Sequence, residues 1–353
     1  MNAEYLYISA LELLKKMIAI PSLSKEEKAV ADLIENYLIE NNCKVNRKNN
    51  NIWVTHPKNS ISKKIILFNS HIDTVKPNSQ WTFNPFEATI KDDKLFGLGS
   101  NDAGISVVTQ MHTFLELCKY DLPYNLIYSA TAEEENSGEN GVESILNDLG
   151  VIDLAIVGEP TQMQMAIAEK GLLVLDCKSH GKAGHAARNE GENAIYKAHK
   201  DIEWFQKYDF EKYTDLLGKV KMTVTQINAG KQHNVVPELC EFVVDVRVNE
   251  CYSNREVFEI IKQHIKSEIS ARSFRLNSSN IPLDHPIVKR GIELGLTHYG
   301  SPTCSDQSIM NFDTIKIGPG DSARSHTANE FVYLYEIKQG IEIYFNLLKS
   351  LKV

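Results

Sequence analysis

Apolar residues near the start of the chain recur at helical spacing. Leu11, Leu14 and Ile18 fall on one face of a helix. A second stripe at similar spacing comprises Val30, Leu33, Ile34, Tyr37 and Leu38. Residues 24–27 read Ser-Lys-Glu-Glu, which predicts a capping box at the start of the second helix. We therefore expect two amphipathic helices to open the chain, each with one face in the core.

Short apolar runs follow these helices and predict buried strands. They lie at residues 65–68, 126–129, 154–157 and 315–317, separated by helical or loop segments. This alternation is typical of an α/β sheet. Each run is closely followed by acidic or histidine side chains, namely His71, residues 133–135, Glu159 and His326. Open α/β sheets place their ligand sites at strand ends, so these side chains are candidates for a site.

The middle of the chain has a pattern of its own. Residues 172–280 predict the order strand, helix, strand, strand, helix, strand, which suggests a small ferredoxin-like domain. A length of 353 residues also favours two domains. We therefore predict a two-domain α/β protein, with residues 1–171 and 281–353 forming the larger domain and residues 172–280 inserted into it.

Composition excludes several classes of partner. The formal net charge is −8 and no dense Lys/Arg run occurs, which argues against nucleic acid. The six cysteines lie far apart without a C-x-x-C pair, which favours reduced thiols and leaves histidine and carboxylate as metal ligands. Neither a signal-peptide pattern nor a run of membrane-spanning length is visible, so we expect a cytoplasmic location and no membrane partner.

A His-Ile-Asp segment follows the first predicted strand. At the end of a strand the period-two geometry puts His71 and Asp73 on the same side. A metal-bound imidazole usually gives its second N–H to an oxygen, and Asp73 could accept it. The alternative is a surface histidine beside a turn aspartate.

A glycine-rich bend at residues 97–104 presents Asp102. Its spacing does not match the dinucleotide fingerprint G-x-G-x-x-G, because Asp102 stands where the third glycine is required. Glycines also allow the backbone to approach a ligand closely, as a bridging carboxylate would need. A structural aspartate at a tight bend is the alternative.

Three successive glutamates, residues 133–135, end the strand at 126–129. Carboxylates this close to a buried edge repel one another and call for a compensating cation, unless the segment is simply a solvated loop. Glu159 and His326 likewise stand in turns that have ordinary structural explanations. Together these segments supply two histidines and at least three carboxylates, the ligand set of a two-metal hydrolase.

The motifs together resemble one family of co-catalytic metallopeptidases, which includes acetylornithine deacetylase, succinyl-diaminopimelate desuccinylase, aminoacylases and carboxypeptidase G-type enzymes. The resemblance covers essentially the whole chain and follows the same motif order. It is strongest to the acetylornithine deacetylase branch. It implies a zinc-peptidase-like catalytic domain with an inserted lid and dimerisation domain, and a homodimer. It also implies two divalent metal ions, with zinc expected and cobalt or manganese as alternatives.

The resemblance also implies roles for particular residues. His71 and Glu159 would hold one metal, Glu135 and His326 the other, and Asp102 would bridge them. Asp73 would orient His71, and Glu134 would act as general base. Relatives often have Lys-Gly after the bridging aspartate, whereas this chain has Ala103-Gly104.

Further candidates come from the lid motifs and the last turn. His185, in Gly-Lys-Ala-Gly-His, matches a lid histidine that stabilises the oxyanion in the neighbouring subunit of dimeric relatives. Asn234 and Arg247 resemble lid residues that contact the substrate carboxylate. Arg324 is predicted to bind an acyl or α-carboxylate group, because a guanidinium forks onto carboxylates.

The implied reaction is metal-dependent hydrolysis of an N-acyl amino acid amide, with N-acetylornithine as the expected substrate. N-acetylcitrulline, N-succinyl-ornithine or N-succinyl-citrulline, and a dipeptidase or aminoacylase activity remain alternatives, because side-chain selectivity depends on a few pocket contacts. A catalytically inactive, metal-dependent binding protein is the alternative from another class. Glu134 argues against it, since a non-enzyme has no need of a base beside its ligands.

Overall fold

The structure is a computed structural model that describes residues 1–58, 60 and 63–352. The chain forms two compact units. Unit 1 comprises Met1–Ile167, Ile281–Tyr299 and Ser305–Val353, and unit 2 comprises Ala168–Asn280 and Gly300–Cys304. Unit 2 thus begins a few residues before the boundary expected from sequence and also includes a short segment after it.

Helices and strands alternate along most of the described chain. The helices are α1 Ala3–Ile18, α2 Lys28–Glu40, α3 Ile105–Leu117, α4 Leu146–Leu149, α5 Ala194–Lys207, α6 Asn254–His264, α7 Pro286–Glu293 and α8 Leu334–Leu348. The strands are β1 Val45–Lys48, β2 Asn51–Thr55, β3 Ile65–His71, β4 Thr89–Lys91, β5 Lys94–Phe96, β6 Asn125–Thr131, β7 Leu154–Val157, β8 Met165–Glu169, β9 Gly171–His180, β10 Gly184–His185, β11 Lys221–Ala229, β12 Val235–Val236, β13 Leu239–Val248, β14 Glu268–Ala271, β15 Ser279–Asn280, β16 His298–Ser301, β17 Thr314–Lys316 and β18 Phe331–Tyr333.

A mixed sheet forms the centre of unit 1, in the order β1-β2-β6-β3-β7-β17-β8. The four middle strands, β6, β3, β7 and β17, are parallel to one another. The outer pairings of β2 with β6 and of β17 with β8 are antiparallel. The four parallel strands therefore have their carboxyl ends at one edge of the sheet.

Helix α3 explains why the parallel strands are apolar on both faces. Nearly every residue of α3 is buried, and the helix packs on β3 and β6 and against α1 and α8. On the other face Leu67, Ile127, Ala155 and Val157 join a second apolar cluster with Ile145 and Leu149. The sheet is thus covered on both sides, which leaves its strand ends as the place for polar chemistry.

The predicted capping box at residues 24–27 is wrong. Helix α2 begins at Lys28 with Glu27 as its N-cap residue, and no side chain caps it. Ser24 instead donates its hydroxyl to Asp73, with Oγ and Oδ2 at 2.7 Å. The fully buried Glu27 accepts from the backbone N–H of Lys25 at 2.6 Å. Glu27 also accepts from Nδ2 of Asn50 at 2.9 Å, so both Ser24 and Glu27 have partners distant in sequence that the local pattern does not reveal.

Unit 2 contains an antiparallel sheet in the order β11-β13-β9-β14. Alternate residues of β9 and β13 are buried, because helices α5 and α6 pack their apolar residues into one cluster with these strands. A two-stranded ribbon, β10 with β12, pairs His185 with Val235. Along unit 2 the main elements follow the order strand, helix, strand, strand, helix, strand.

No helix in the described part of the chain combines the length and the apolar character needed to cross a membrane.

Candidate metal centre

The candidate centre lies at the carboxyl edge of the four parallel strands. His71 is the last residue of β3, and the three glutamates begin two positions after the end of β6. Glu159 comes just after β7, and His326 stands in the loop after β17. Because parallel strands end at the same edge, these segments meet although they are far apart in sequence.

Asp102 faces both histidines. Its Oδ1 lies 3.2 Å from Nε2 of His71, and its Oδ2 lies 3.6 Å from Nε2 of His326. A carboxylate with its two oxygens turned toward two different imidazoles has the arrangement of a bridging ligand. Its side chain is only 12% exposed, so water competes little for these oxygens.

Each histidine also faces a glutamate. Nε2 of His71 is 3.8 Å from Oε1 of Glu159. Nε2 of His326 is 2.9 Å from Oε2 of Glu135 and 3.1 Å from its Oε1. The structure therefore brings together all the residues predicted as metal ligands: His71, Asp102, Glu135, Glu159 and His326.

Glu134 lies within the same group. Single ligand atoms of His71, Glu134 and Glu159 fall within 4.8 Å of one another, as do those of His71, Asp102 and Glu135. Glu134 and Glu135 are thus both beside His71, although successive side chains of the triplet point differently. The proximity fits the predicted separation of one glutamate as base and the next as ligand.

Asp73 supports the centre in a way that the sequence only partly indicates. The Nδ1 atom of His71 is closer to the backbone oxygen of Asp73, at 3.0 Å, than to its carboxylate, at 3.4 Å. The Asp73 carboxylate accepts instead from the backbone N–H groups of Glu134 and Glu135, at 3.0 and 3.1 Å. Asp73 therefore fixes both the histidine ring and the turn that carries the two glutamates.

The glutamate turn has a carboxylate partner for each of its three N–H groups. Glu133, at φ 57°, donates to Oε1 of Glu27 at 3.3 Å. Its side chain accepts from Nδ2 of Asn140 at 3.2 Å. This places Glu133 outside the group of ligand atoms described above.

The surrounding carboxylates raise the pKa of both histidines. For His71, burial opposes the proton, but hydrogen bonds to Asp102 and Asp73 outweigh it and raise the pKa well above the ordinary value. For His326, the hydrogen bond with Glu135 is the largest cause and raises the pKa to about 9. The centre thus favours positive charge at both rings, which a proton or a metal cation can supply.

Burial disfavours the charged form of the acids as well. It raises the pKa of Glu134 well above the ordinary value, and that of Glu159 to about 8, with neighbouring carboxylates adding to the shift. The buried imidazole of His71, the exposed imidazole of His326 and four clustered carboxylates form a donor set that suits two divalent cations. The residues present therefore fit the metals implied by the sequence, because cations between them would relieve the repulsion.

Two buried acids near the centre were not among the sequence candidates. Asp306 accepts from Nδ2 of Asn69 at 2.7 Å, and burial raises its pKa to about 6. Glu330 accepts backbone N–H groups of the Asp102 loop, and burial followed by the charge of Asp102 raises its pKa to about 8. Neither stands at the end of an apolar run, so no local pattern marks it.

The role predicted for Arg324 is not supported by its contacts. Its guanidinium already holds the carboxylate of Glu336 through two bonds of 2.6 and 3.0 Å, and it donates to the backbone oxygen of Phe331 at 3.2 Å. Both charged side chains are about nine-tenths buried. Arg324 therefore forms a structural ion pair with Glu336, and its guanidinium is not available to bind a substrate carboxylate.

The remaining predicted residues lie in unit 2. His185 is exposed on the β10–β12 ribbon, where its Nδ1 accepts from the N–H of Ala187 at 3.2 Å. Asn234 is adjacent, since its backbone oxygen accepts from the N–H of Ala186 at 2.9 Å. Arg247 forks onto its neighbour Asp245 at 2.8 and 3.0 Å. Unit 2 thus groups His185 with Asn234, whereas the guanidinium of Arg247 has an acidic partner of its own.

Comparisons with known proteins agree with this geometry. The sequence profile of Peptidase family M20/M25/M40 matches residues 67–350. An acetylornithine deacetylase of Buchnera aphidicola subsp. Schizaphis graminum is 26% identical, across 97% of this chain and 98% of that protein. A succinyl-diaminopimelate desuccinylase of Buchnera aphidicola subsp. Cinara cedri is 25% identical, across 98% of this chain and 100% of that protein. The solved structure of the Bacillus subtilis protein YxeP, described as a dinuclear metal binding peptidase, has a TM-score of 0.75 at 13% identity, covering 99% of this chain and 100% of that one.

The mixed α/β fold, the histidine and carboxylate cluster and these matches define a metal-binding hydrolase of amide bonds. The chain belongs to Peptidase family M20/M25/M40, whose profile covers most of its length. It is similar over nearly its full length to enzymes that remove acyl groups from amino acids. The alternative of a catalytically inactive binding protein is not supported.

Proposed function

We propose that this protein hydrolyses the amide bond of an N-acyl amino acid, with N-acetylornithine, cut to ornithine and acetate, as the preferred substrate. The observation that carries the proposal is the position of Asp102, whose two oxygens face His71 and His326 separately. That arrangement prepares adjacent sites for two cations rather than one isolated site. The acetylornithine deacetylase similarity supports the choice of substrate.

In this proposal His71 and Glu159 hold one divalent ion, and His326 and Glu135 hold the other. Asp102 is shared between them. Histidine and carboxylate ligands suit zinc, and they also accept cobalt or manganese. When bound, the two ions supply Lewis acidity that polarises the amide carbonyl and lowers the pKa of a water molecule.

Glu134 is the proposed general base. It lies beside the ligand atoms, and its burial raises its pKa, which strengthens its affinity for a proton. Its carboxylate takes a proton from the attacking water and then gives that proton to the nitrogen of the leaving amine. Asp73 holds the backbone of the Glu134 turn, so the base keeps its position during both transfers.

The ion pair between Arg324 and Glu336 favours an acetyl group over a succinyl group. A succinyl group would bring a second carboxylate, and the cation predicted to bind it is occupied by Glu336. An acetyl group carries no charge and needs no such partner. N-acetylcitrulline, the N-succinyl amino acids and a dipeptide remain the competing substrates. With N-acetylornithine as substrate the enzyme would act in the cytoplasm, in arginine biosynthesis.

Unit 2 is proposed to act as a lid and as the surface of a homodimer. His185 supports this, because it is exposed and held in place by the β10–β12 ribbon, with Asn234 beside it. In the dimer His185 would donate to the developing oxyanion in the partner's site, and Asn234 and Arg247 would contact the substrate carboxylate.

A substrate panel tests the proposed reaction. Metal-depleted protein is reconstituted with zinc, cobalt or manganese and given N-acetylornithine, N-acetylcitrulline, N-succinylornithine and a dipeptide, with release of free amine as the measurement. We expect the largest kcat/KM for N-acetylornithine, and loss of turnover with a chelator. A preference for the dipeptide would contradict the deacylase assignment, and activity that survives chelation would contradict the metal mechanism.

Subunit mixing tests whether His185 acts in trans. Glu134→Gln and His185→Ala chains are each expected to be inactive, and they are mixed under conditions that exchange subunits. If His185 serves the partner's site, mixed dimers regain one competent site each, and about a quarter of wild-type activity returns because half of randomly paired dimers are mixed. No recovery from a mixture shown to contain mixed dimers would contradict the trans role.

A further inference from the structure

Glu330 lies between the two segments that present Asp102 and His326. It is only four positions after His326 and directly precedes β18. Its side chain is 2% exposed, although it is a carboxylate. A buried acid at this point requires a reason, because burial without strong partners disfavours its charge.

The partners of Glu330 are the backbone N–H groups of the Asp102 loop. Its Oε2 accepts from Gly99 at 2.9 Å. Its Oε1 accepts from Asn101 at 2.7 Å and from Asp102 at 2.9 Å. The backbone oxygen of Glu330 also accepts from Gly97 at 3.1 Å. One residue thus binds four N–H groups of the loop.

The loop cannot supply these partners itself. Gly99 has φ 72°, and Asp102 has φ −123° with ψ 95°, so the backbone leaves the helical conformation just before α3. Its N–H groups therefore lack the carbonyl partners of a regular helix. Glu330 provides acceptors for them, and the direction of the Asp102 side chain follows from the backbone that Glu330 holds.

A second set of bonds ties the same loop to the other side of His326. Nδ2 of Asn101 donates to the backbone oxygen of Asp321 at 3.0 Å and to Oγ of Ser325 at 3.2 Å. Its Oδ1 accepts from the N–H of Asp321 at 2.9 Å. The Asp102 loop is therefore bonded to the chain on both sides of His326. Its Asn101 side chain binds Asp321 and Ser325, which precede His326, and its N–H groups bind Glu330, which follows His326.

We propose that Glu330 is a positioning residue that sets the separation of Asp102 and His326, and with it the affinity for the cation held by Asp102, Glu135 and His326. The inference rests on the proposed two-metal function. Glu330 touches neither the metals nor the substrate in this proposal. It acts through the backbone of Asp102, in the way that partners outside the ligand shell commonly tune a metal site.

The geometry requires a carboxylate. Both oxygens of Glu330 accept N–H donors. In Glu330→Gln the amide oxygen can keep the bonds to Asn101 and Asp102, but its NH₂ group then faces the N–H of Gly99, and two donors repel. Glu330→Ala removes every side-chain acceptor. The first variant is therefore a graded change and the second a complete one.

Asp201 offers a matched control in unit 2. It is a buried carboxylate that also accepts two successive backbone N–H groups, those of Lys266 at 3.1 Å and Ser267 at 2.8 Å. Asp201→Asn therefore makes the same kind of chemical change in unit 2, away from the segments that carry the proposed ligands. It should lower thermal stability and leave metal binding as in the wild type.

The experiment titrates metal-free protein with zinc by calorimetry, and with Co²⁺ by visible absorption. We expect two binding steps for the wild type. Glu330→Gln should weaken one step by about 10- to 100-fold, as is usual when a partner outside the ligand shell is removed. Because Asp102 is shared, the other step should weaken by a smaller factor, and the Co²⁺ spectrum should change most for the site that includes His326.

Three results have separate meanings. Two wild-type steps with unchanged affinities in Glu330→Gln would overturn the role of Glu330, and so would an equal loss at both steps, which indicates general loosening of unit 1. A wild type that binds fewer than two ions would instead overturn the two-metal function itself. If Glu330→Ala does not fold, the metal affinities of Glu330→Gln still test the proposal. Asp201→Asn shows how a loss of stability alone affects metal binding.

Discussion

Asp73→Asn is expected to destabilise the protein and to reduce turnover together. The Asp73 carboxylate is 1% exposed and accepts from the N–H groups of Glu134 and Glu135 and from the hydroxyl of Ser24. Asparagine has one acceptor oxygen, so its NH₂ group must face one of these donors. The variant therefore loses at least one charge-assisted bond and leaves a buried donor unpaired.

The expected size follows from these contacts. A hydrogen bond to a charged group contributes about 1.5–3 kcal/mol, so the free energy of unfolding should fall by roughly 2–3 kcal/mol in Asp73→Asn. Ser24→Ala removes only the bond from Oγ to Oδ2 and should lower the free energy of unfolding by about 1.5 kcal/mol, the lower end of that range, because Ser24 is only partly buried. Urea denaturation of the variants in the presence of a chelator, monitored by circular dichroism, measures both free energies without a contribution from metal binding.

Turnover provides the second measurement for the same variants. Because Asp73 holds the turn that carries the proposed base, kcat should fall in Asp73→Asn far more than in Ser24→Ala. The reasoning is refuted if Asp73→Asn unfolds within about 0.5 kcal/mol of the wild type, a change typical of a surface position. A loss of stability with unchanged kcat would show that Asp73 is not needed to position Glu134 for catalysis.

Three further predictions test other parts of the structure. Glu134→Gln should keep both metals but lose about 10²- to 10⁴-fold in kcat, the usual contribution of a general base, and normal turnover would exclude Glu134 from that role. Burial lowers the pKa of His112 to about 4, so the unfolded chain binds more protons between pH 6.5 and 4. Stability should therefore fall by up to about 3 kcal/mol as pH decreases through that window, and the slope should flatten in His112→Gln. Arg324→Met should cost about 3–5 kcal/mol of stability, because Glu336 loses its buried partner, with KM unchanged. A raised KM without a loss of stability would restore Arg324 as a substrate ligand.

The strand ends could be predicted from sequence because an apolar run followed by a polar residue is a local pattern. The apolar runs before His71 and Glu159 correspond to β3 and β7, and a run of this kind is buried wherever it sits in a parallel sheet. Parallel strands end at one edge, so the ligand candidates could be grouped before their distances were known. The resemblance to the family then led to the proposed roles of Glu134 as base and Glu135 as ligand.

The supporting contacts were not predictable, because they join residues that are distant in sequence. Ser24 and Asp73 are 49 positions apart, and the Ser-x-x-Glu pattern gives the wrong interpretation of Ser24. Glu330 and Asp102 are 228 positions apart. Arg324 fails for a related reason, since an isolated arginine gives no indication that an acid twelve positions later will occupy it.

Anomalous X-ray diffraction from crystals grown with zinc tests the central claim most directly. We expect two anomalous peaks. One should lie about 2.0–2.2 Å from His71 and Glu159 and the other at the same distance from His326 and Glu135, and Asp102 should be bonded to both. A single peak, or two peaks that do not share Asp102, would contradict the two-metal centre.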